Sequence, residues 1–96
     1  MAIAATPVKH IENDTTVVTE WRFAPGAETG WHTHGMAYVV LPLMDGQLKL
    51  ESPDGTVSFA DLTAHVPYYR DAGVHHNVIN ANDFDFSFVE IELKPA

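Results

Sequence analysis

The stretch Trp31-His32-Thr33-His34-Gly35-Met36-Ala37-Tyr38-Val39-Val40-Leu41-Pro42-Leu43 decides how this chain is read. It is rich in aromatic and β-branched residues, so it reads as a long β run. On a strand alternate side chains share a face, which points His32 and His34 the same way with Cα atoms roughly 6–7 Å apart. Two imidazoles at that spacing can grip one metal ion. A third from a neighbouring strand would complete a cap of three nitrogens and leave coordination positions open for chemistry or ligand binding. His75-His76, in a second turn-to-strand unit, is the source of such a partner. Pro42 cannot donate to a central ladder, so a bulge or an edge is expected there.

Working outward, the chain is a series of short β signals broken by Gly, Pro, Asn and Asp. Thr15 to Phe23 reads as a strand with Val17, Thr19, Trp21 and Phe23 on one face. Asp45-Gly46 and Asp54-Gly55 are turns flanking a strand with Leu48 and Leu50 inward. Thr56 to Ala60, His65 to Arg70 and Val74 to Asn80 are further short strands. Phe84 to Leu93 closes the chain, with Phe84, Phe86 and Phe88 on one face and Val89, Ile91 and Leu93 on the other. No segment sustains a helical period. Seven or eight short strands without helix mean an all-β fold, a small barrel or jelly-roll sandwich. Residues 1–14 read as an arm or edge strand and residues 15–96 as the barrel domain. The last strand is apolar on both faces, more than a small barrel can bury, which points to a homodimer through the terminal strands or to cover by the N-terminal strand.

The bulk properties narrow the function. Ninety-six residues hold one core. A net charge of −8 leaves no basic stripe for nucleic acid and no attraction to an anionic membrane. No apolar run approaches a bilayer span, and the first residues lack a basic leader, so a cytoplasmic protein is expected. There is no cysteine, so a metal or a partner subunit remains as a source of extra stability.

From Trp21 to Leu93 the chain resembles a small single-domain cupin. The first cupin motif places a glycine six residues before an H-x-H pair and closes on a later glycine, as Gly26, His32, His34 and Gly46 do here. The second places a glycine, a histidine three residues on and an asparagine four further, as Gly73, His76 and Asn80 do. The stretches Thr19 to Leu50, Asn77 to Asn80 and Glu90 to Leu93 are similar to a subgroup of small cupins named for β-alanine degradation. There are departures. The glutamate position of the first motif is Tyr38 (or Val39), Gly46 sits one residue late, and the second motif's first glycine and proline are His65 and Asp71.

The resemblance implies a ligand set of His32, His34 and His76 around one divalent transition metal: iron, nickel, zinc, manganese or copper. Imidazoles suit such ions better than magnesium or calcium, and at about pH 7 most histidines are neutral and able to bind. Without the motif carboxylate the ion keeps its full charge and favours a small anionic ligand. Tyr38 shares the parity of His32 and His34, and its phenol is the candidate acid or hydrogen-bond donor. The alternative is an aromatic core residue. Met36 and Val40 share that face and are expected to line the cavity. Arg70 could fork onto a substrate carboxylate at the mouth, or pair with Asp71 at the surface. His75 has the opposite parity to His76 and should point away. No acid other than Tyr38 is placed in the cavity, and Trp21, Trp31, Phe86 and Phe88 read as packing.

The function expected is a metal-dependent enzyme, a dioxygenase or a lyase or isomerase, acting on a small anionic metabolite. The competing expectation is a non-catalytic cupin that binds a metal or small molecule as an accessory or sensor.

Overall fold

The computed structural model describes residues 3–95. Every regular element among them is a strand: β1 (Ile3–Ala4), β2 (Thr6–Glu12), β3 (Thr16–Phe23), β4 (Ala27–Glu28), β5 (His32–Thr33), β6 (Ala37–Pro42), β7 (Gly46–Glu51), β8 (Val57–Leu62), β9 (Tyr68–Arg70), β10 (His75–Asn80) and β11 (Phe86–Leu93). They form two sheets. One runs β1-β4-β10-β7-β8 with β5 added alongside β10, and the other runs β2-β3-β11-β6-β9. No helix among the described residues is long and apolar enough to cross a membrane.

Period-two alternation builds the core. In β11, Phe86 and Phe88 lie opposite Phe23 and Trp21 of β3, and Phe88 also faces Pro42 of β6. These inward rows meet Leu48, Leu62 and Val78 of the other sheet in one buried cluster with Tyr38 and Val40. Residues of the second motif then lock the layers together. The Asn80 amide donates to the carbonyls of Phe23, Ala24 and Phe84, and its Oδ1 accepts from Asn82. Gly46 has a steric reason to be glycine: a Cβ there would fall 2.6 Å from ring carbons of Phe86.

The 31–43 run is not one strand. His34 turns its backbone N–H out to the carbonyl of Val74, and Gly35 and Met36 carry the chain from the β10 sheet to the β11 sheet. Side-chain parity counted from His34 therefore does not pass through Met36. Of the bulge or edge expected at Pro42, the structure has the edge. β6 pairs with β11 without a register shift through Pro42, which lies beyond the three-residue ladder with β9. An irregularity occurs instead in β2, between Lys9 and Ile11. The strand expected over His65–Arg70 shrinks to Tyr68–Arg70, because His65 takes a left-handed turn at φ 63°. Trp31 is exposed rather than packed in the core.

The outer face of the β11 sheet carries an apolar row across all five strands: Ile11, Val18, Ile91, Val39 and Tyr69. This is where the surplus hydrophobicity of the last strand goes.

Candidate metal centre

Two short turns bring the histidines together. β5 pairs with β10 so that His32 lies directly opposite His76. The N–H of His34 donates to the Val74 carbonyl and the N–H of Gly73 donates back to the His34 carbonyl, both at 2.8 Å. Gly73 has φ 101°, a conformation that a side chain resists. The two motifs are thus stitched at the point where their imidazoles emerge.

The outcome is a cluster of three Nε2 atoms. His34 Nε2 lies 3.0 Å from His32 Nε2 and 3.2 Å from His76 Nε2. Nitrogens bound at right angles to one metal, each at about 2.1 Å, are about 3.0 Å apart, and a tetrahedral arrangement spreads them to about 3.4 Å. The tautomer of His32 is set from behind: its Nδ1 donates to the Gly30 carbonyl at 2.8 Å, which leaves the Nε2 lone pair facing the cluster. Gly30 is in turn held by its N–H donating to Asn77 Oδ1. Burial first, and then the neighbouring charges of His32 and Arg70, push His34 down to about 4. Burial and the surrounding histidines push His76 down to about 3. Both imidazoles are therefore neutral near pH 7, the state that a metal requires. The donor set fits a divalent transition metal. His75, opposite in parity, is exposed and meets the edge of Trp31.

Beside the cluster is a cavity of about 20 Å³, lined by Tyr38, Val40, Leu48, Tyr68, Arg70 and His76 among others. That is room for about one water-sized body. Tyr38 is buried and stacked on His34, with ring centroids 3.9 Å apart, and burial lifts its phenol to about 12. It can donate a proton in a hydrogen bond and does not ionise near neutrality. Val40 lines the cavity as expected. Met36 does not: the break in the strand at Gly35 leaves it half-buried in the turn between β5 and β6. Arg70 pairs with Tyr38 across β6 and β9, so it lies on the inner face at the mouth. It forms no ion pair with Asp71.

One residue was missed by sequence reasoning. Glu90 lines the same cavity, is only 8% exposed, and brings Oε2 to 4.0 Å from His34 Nε2. Burial, with help from Glu92, lifts its carboxyl to about 7. The expectation that no acid but Tyr38 enters the cavity is corrected. The signal was present in the alternation of β11, where Glu90 follows Phe86 and Phe88 on the inward parity.

No family model matches the chain. The β-alanine degradation protein BauB of Pseudomonas aeruginosa PAO1 is 56% identical over 90 residues, covering 94% of each chain. A cupin domain from Bordetella pertussis Tohama I superposes with a TM-score of 0.95 at 52% identity, over 99% of this chain and 98% of that one. The cupin domain of an XRE family transcriptional regulator from Enterobacter cloacae shares the fold, with a TM-score of 0.76 at 16% identity over 97% and 99% of the two chains. With its sandwich of short strands, its two stitched motifs and these relatives, the chain belongs to the small single-domain cupins.

Proposed function

We propose that the protein holds one divalent transition metal on His32, His34 and His76 and acts with it on a small carboxylate-bearing metabolite. The observation that carries this reading is the convergence of three Nε2 atoms at ligand spacing, two of them on imidazoles kept neutral by burial. When bound, the metal supplies Lewis-acid polarisation of a coordinated substrate or activation of oxygen. The protein's own groups do the rest. Arg70 stands at the mouth as the fork for a carboxylate. The Tyr38 hydroxyl is the donor inside, held by stacking on His34. The apolar walls at Val40, Leu48 and Val78 limit water. The name of the P. aeruginosa relative points to the degradation of β-alanine, a small carboxylate, and fits this substrate class.

Two reaction types remain within the reading, oxygen-dependent cleavage and lyase or isomerase chemistry. The test is to load the protein separately with iron, nickel, zinc, manganese and copper and to measure metal content per chain. Oxygen uptake and substrate loss are then followed against a panel of two- to four-carbon carboxylates. One ion per chain with turnover of a carboxylate supports the enzyme. Metal well below one per chain under every loading removes it.

A second reading, a non-catalytic cupin that senses or carries a metal or small molecule, is favoured by the size of the cavity. About 20 Å³ accepts an ion or a water and not a metabolite unless the walls move. Stoichiometric metal with no turnover across the panel selects it.

A further inference from the structure

Arg70, Tyr38, Glu92 and Val17 form one row across β9, β6, β11 and β3, with Arg70 and Glu92 on either side of Tyr38. Tyr38 and Val17 are buried, so the row belongs to the inner face, while Arg70 is exposed and Glu92 partly exposed at its mouth. Glu90 stands one row away, opposite Val40, only 8% exposed and lining the cavity. Its carboxylate, that of Glu92 and a ring nitrogen of His34 lie within 4.8 Å of one another. Among the described residues neither carboxylate is paired with a lysine or arginine: Lys9 and Lys94 turn to Glu12, and Arg22 turns to Glu20. His34, 4.0 Å from Glu90, is neutral and offers no charge. A buried carboxylate without a partner is costly and calls for a proton or a cation.

We infer that the mouth binds a small amino acid as its zwitterion, with the carboxylate on Arg70 and the ammonium between Glu92 and Glu90. This deepens the reading of Arg70 as the carboxylate fork and rests on it. An ammonium has three N–H donors, and two charge-assisted bonds of about 2.8 Å at the tetrahedral angle span acceptors about 4.6 Å apart. The two carboxylates, within 4.8 Å of each other, have that spacing. An acid pair alone would suit any cation. What selects a ligand of both signs is the guanidinium on the other side of Tyr38. Two strand spacings, about 10 Å, separate the Cα atoms of Arg70 and Glu92. No ion pair joins the two side chains, so the span between them is open to a short chain with a charge at each end. The enclosed space of about 20 Å³ admits no metabolite, whereas this row meets solvent, so such a ligand binds without passing into the barrel.

Calorimetric titration of zinc-loaded protein, with metal content measured on the same sample, tests this. The probes are short straight-chain acids with a terminal amine and the acids of the same length without one. Wild type should bind the amino acids about tenfold or more tightly than their amine-free counterparts. Glu92→Gln should lose that preference and keep its affinity for the amine-free acids. Arg70→Gln should weaken binding of both kinds. Glu12→Gln, an exposed acid in the same row, should match wild type. Cooperative melting of Glu92→Gln shows that its loss is not one of folding, and the comparison of the two probe classes on wild type needs no variant. Equal affinity for the two classes, a preference that survives Glu92→Gln, or a second metal ion per chain that Glu92→Gln abolishes overturns the ammonium site and leaves the carboxylate reading standing. Wild type that binds no acid of either class overturns both.

Discussion

The Gly73 N–H donates a 2.8 Å hydrogen bond to the His34 carbonyl, and this contact sets where the two halves of the metal centre meet. Gly73 can make it because its φ of 101° lies where a side chain is strained. Nothing lies within 4 Å of a Cβ built there, so the penalty of replacing it is conformational rather than steric. Gly73→Ala is expected to cost about 1–2 kcal/mol of stability in the metal-free protein. It should also weaken metal binding by displacing His76 from His32 and His34. Urea melts and cobalt titration of the same variant check the two effects.

His65 presents the reverse case. It occupies the position where the second cupin motif has its first glycine, and it adopts φ 63° with a histidine side chain. Relief of left-handed strain is worth about 1–2 kcal/mol, and the extra freedom of glycine in the unfolded chain takes back about 0.5–1 kcal/mol. His65→Gly should therefore raise stability by up to about 1.5 kcal/mol. Its side chain is exposed and far in role from the cavity, so metal affinity should not change. Melting temperature and metal titration are the measurements, and a fall in stability contradicts the argument.

Acidity should act on the metal-free protein through two opposed groups. His34 and His76 are depressed to about 4 and about 3 by burial, so each is neutral when folded and takes up a proton on unfolding. Their contribution is complete above pH 6.5, the unfolded value, and is lost as pH falls through about 4 and then about 3. Glu90, raised to about 7, works the other way: its contribution is present below about pH 4.5 and is lost as pH rises through about 7. Glu90→Gln removes only the second effect. The variant should gain on wild type steadily from pH 4.5 to 7 and then hold a constant advantage. Denaturation at pH 4.5, 6 and 8 tests this, and a gap independent of pH would refute it.

The row Ile11, Val18, Ile91, Val39 and Tyr69 crosses the outer face of the β11 sheet without a charge. A second copy of the chain, presenting the same row, is the expected occupant. Sedimentation should give twice the chain mass for wild type and the single-chain mass for Ile91→Lys, which places a charge at the centre of the row. A monomeric wild type at micromolar concentration removes this interface.

Much of the architecture was legible because it depends on local patterns. Alternation marks β3, β7 and β11, and the H-x-H spacing puts His32 and His34 on one side of a strand. What was lost depended on pairing between distant segments. Met36 was assigned to the cavity by counting from His34, and the count failed where Gly35 moves the chain between sheets. Glu90 was given no role, although its inward parity is visible beside Phe86 and Phe88. Its approach to His34 comes from the facing of two sheets, which no local pattern encodes. The sequence left Arg70 open between the mouth and a surface pair with Asp71, and register with Tyr38 sets it at the mouth.

Asn77 lies on the far side of β10 from the cavity and is nonetheless 2% exposed. Its Oδ1 holds Gly30, whose carbonyl orients His32, while its amide nitrogen donates to Glu28 at 3.3 Å and to Glu51 at 3.0 Å. The direction in which an inner imidazole aims its lone pair is thus governed by acids on the sheet's outer skin. Substitutions at Glu28 or Glu51, remote from any ligand, would be felt inside as a loosened ring, so the support of the histidine cluster extends through the full thickness of one layer.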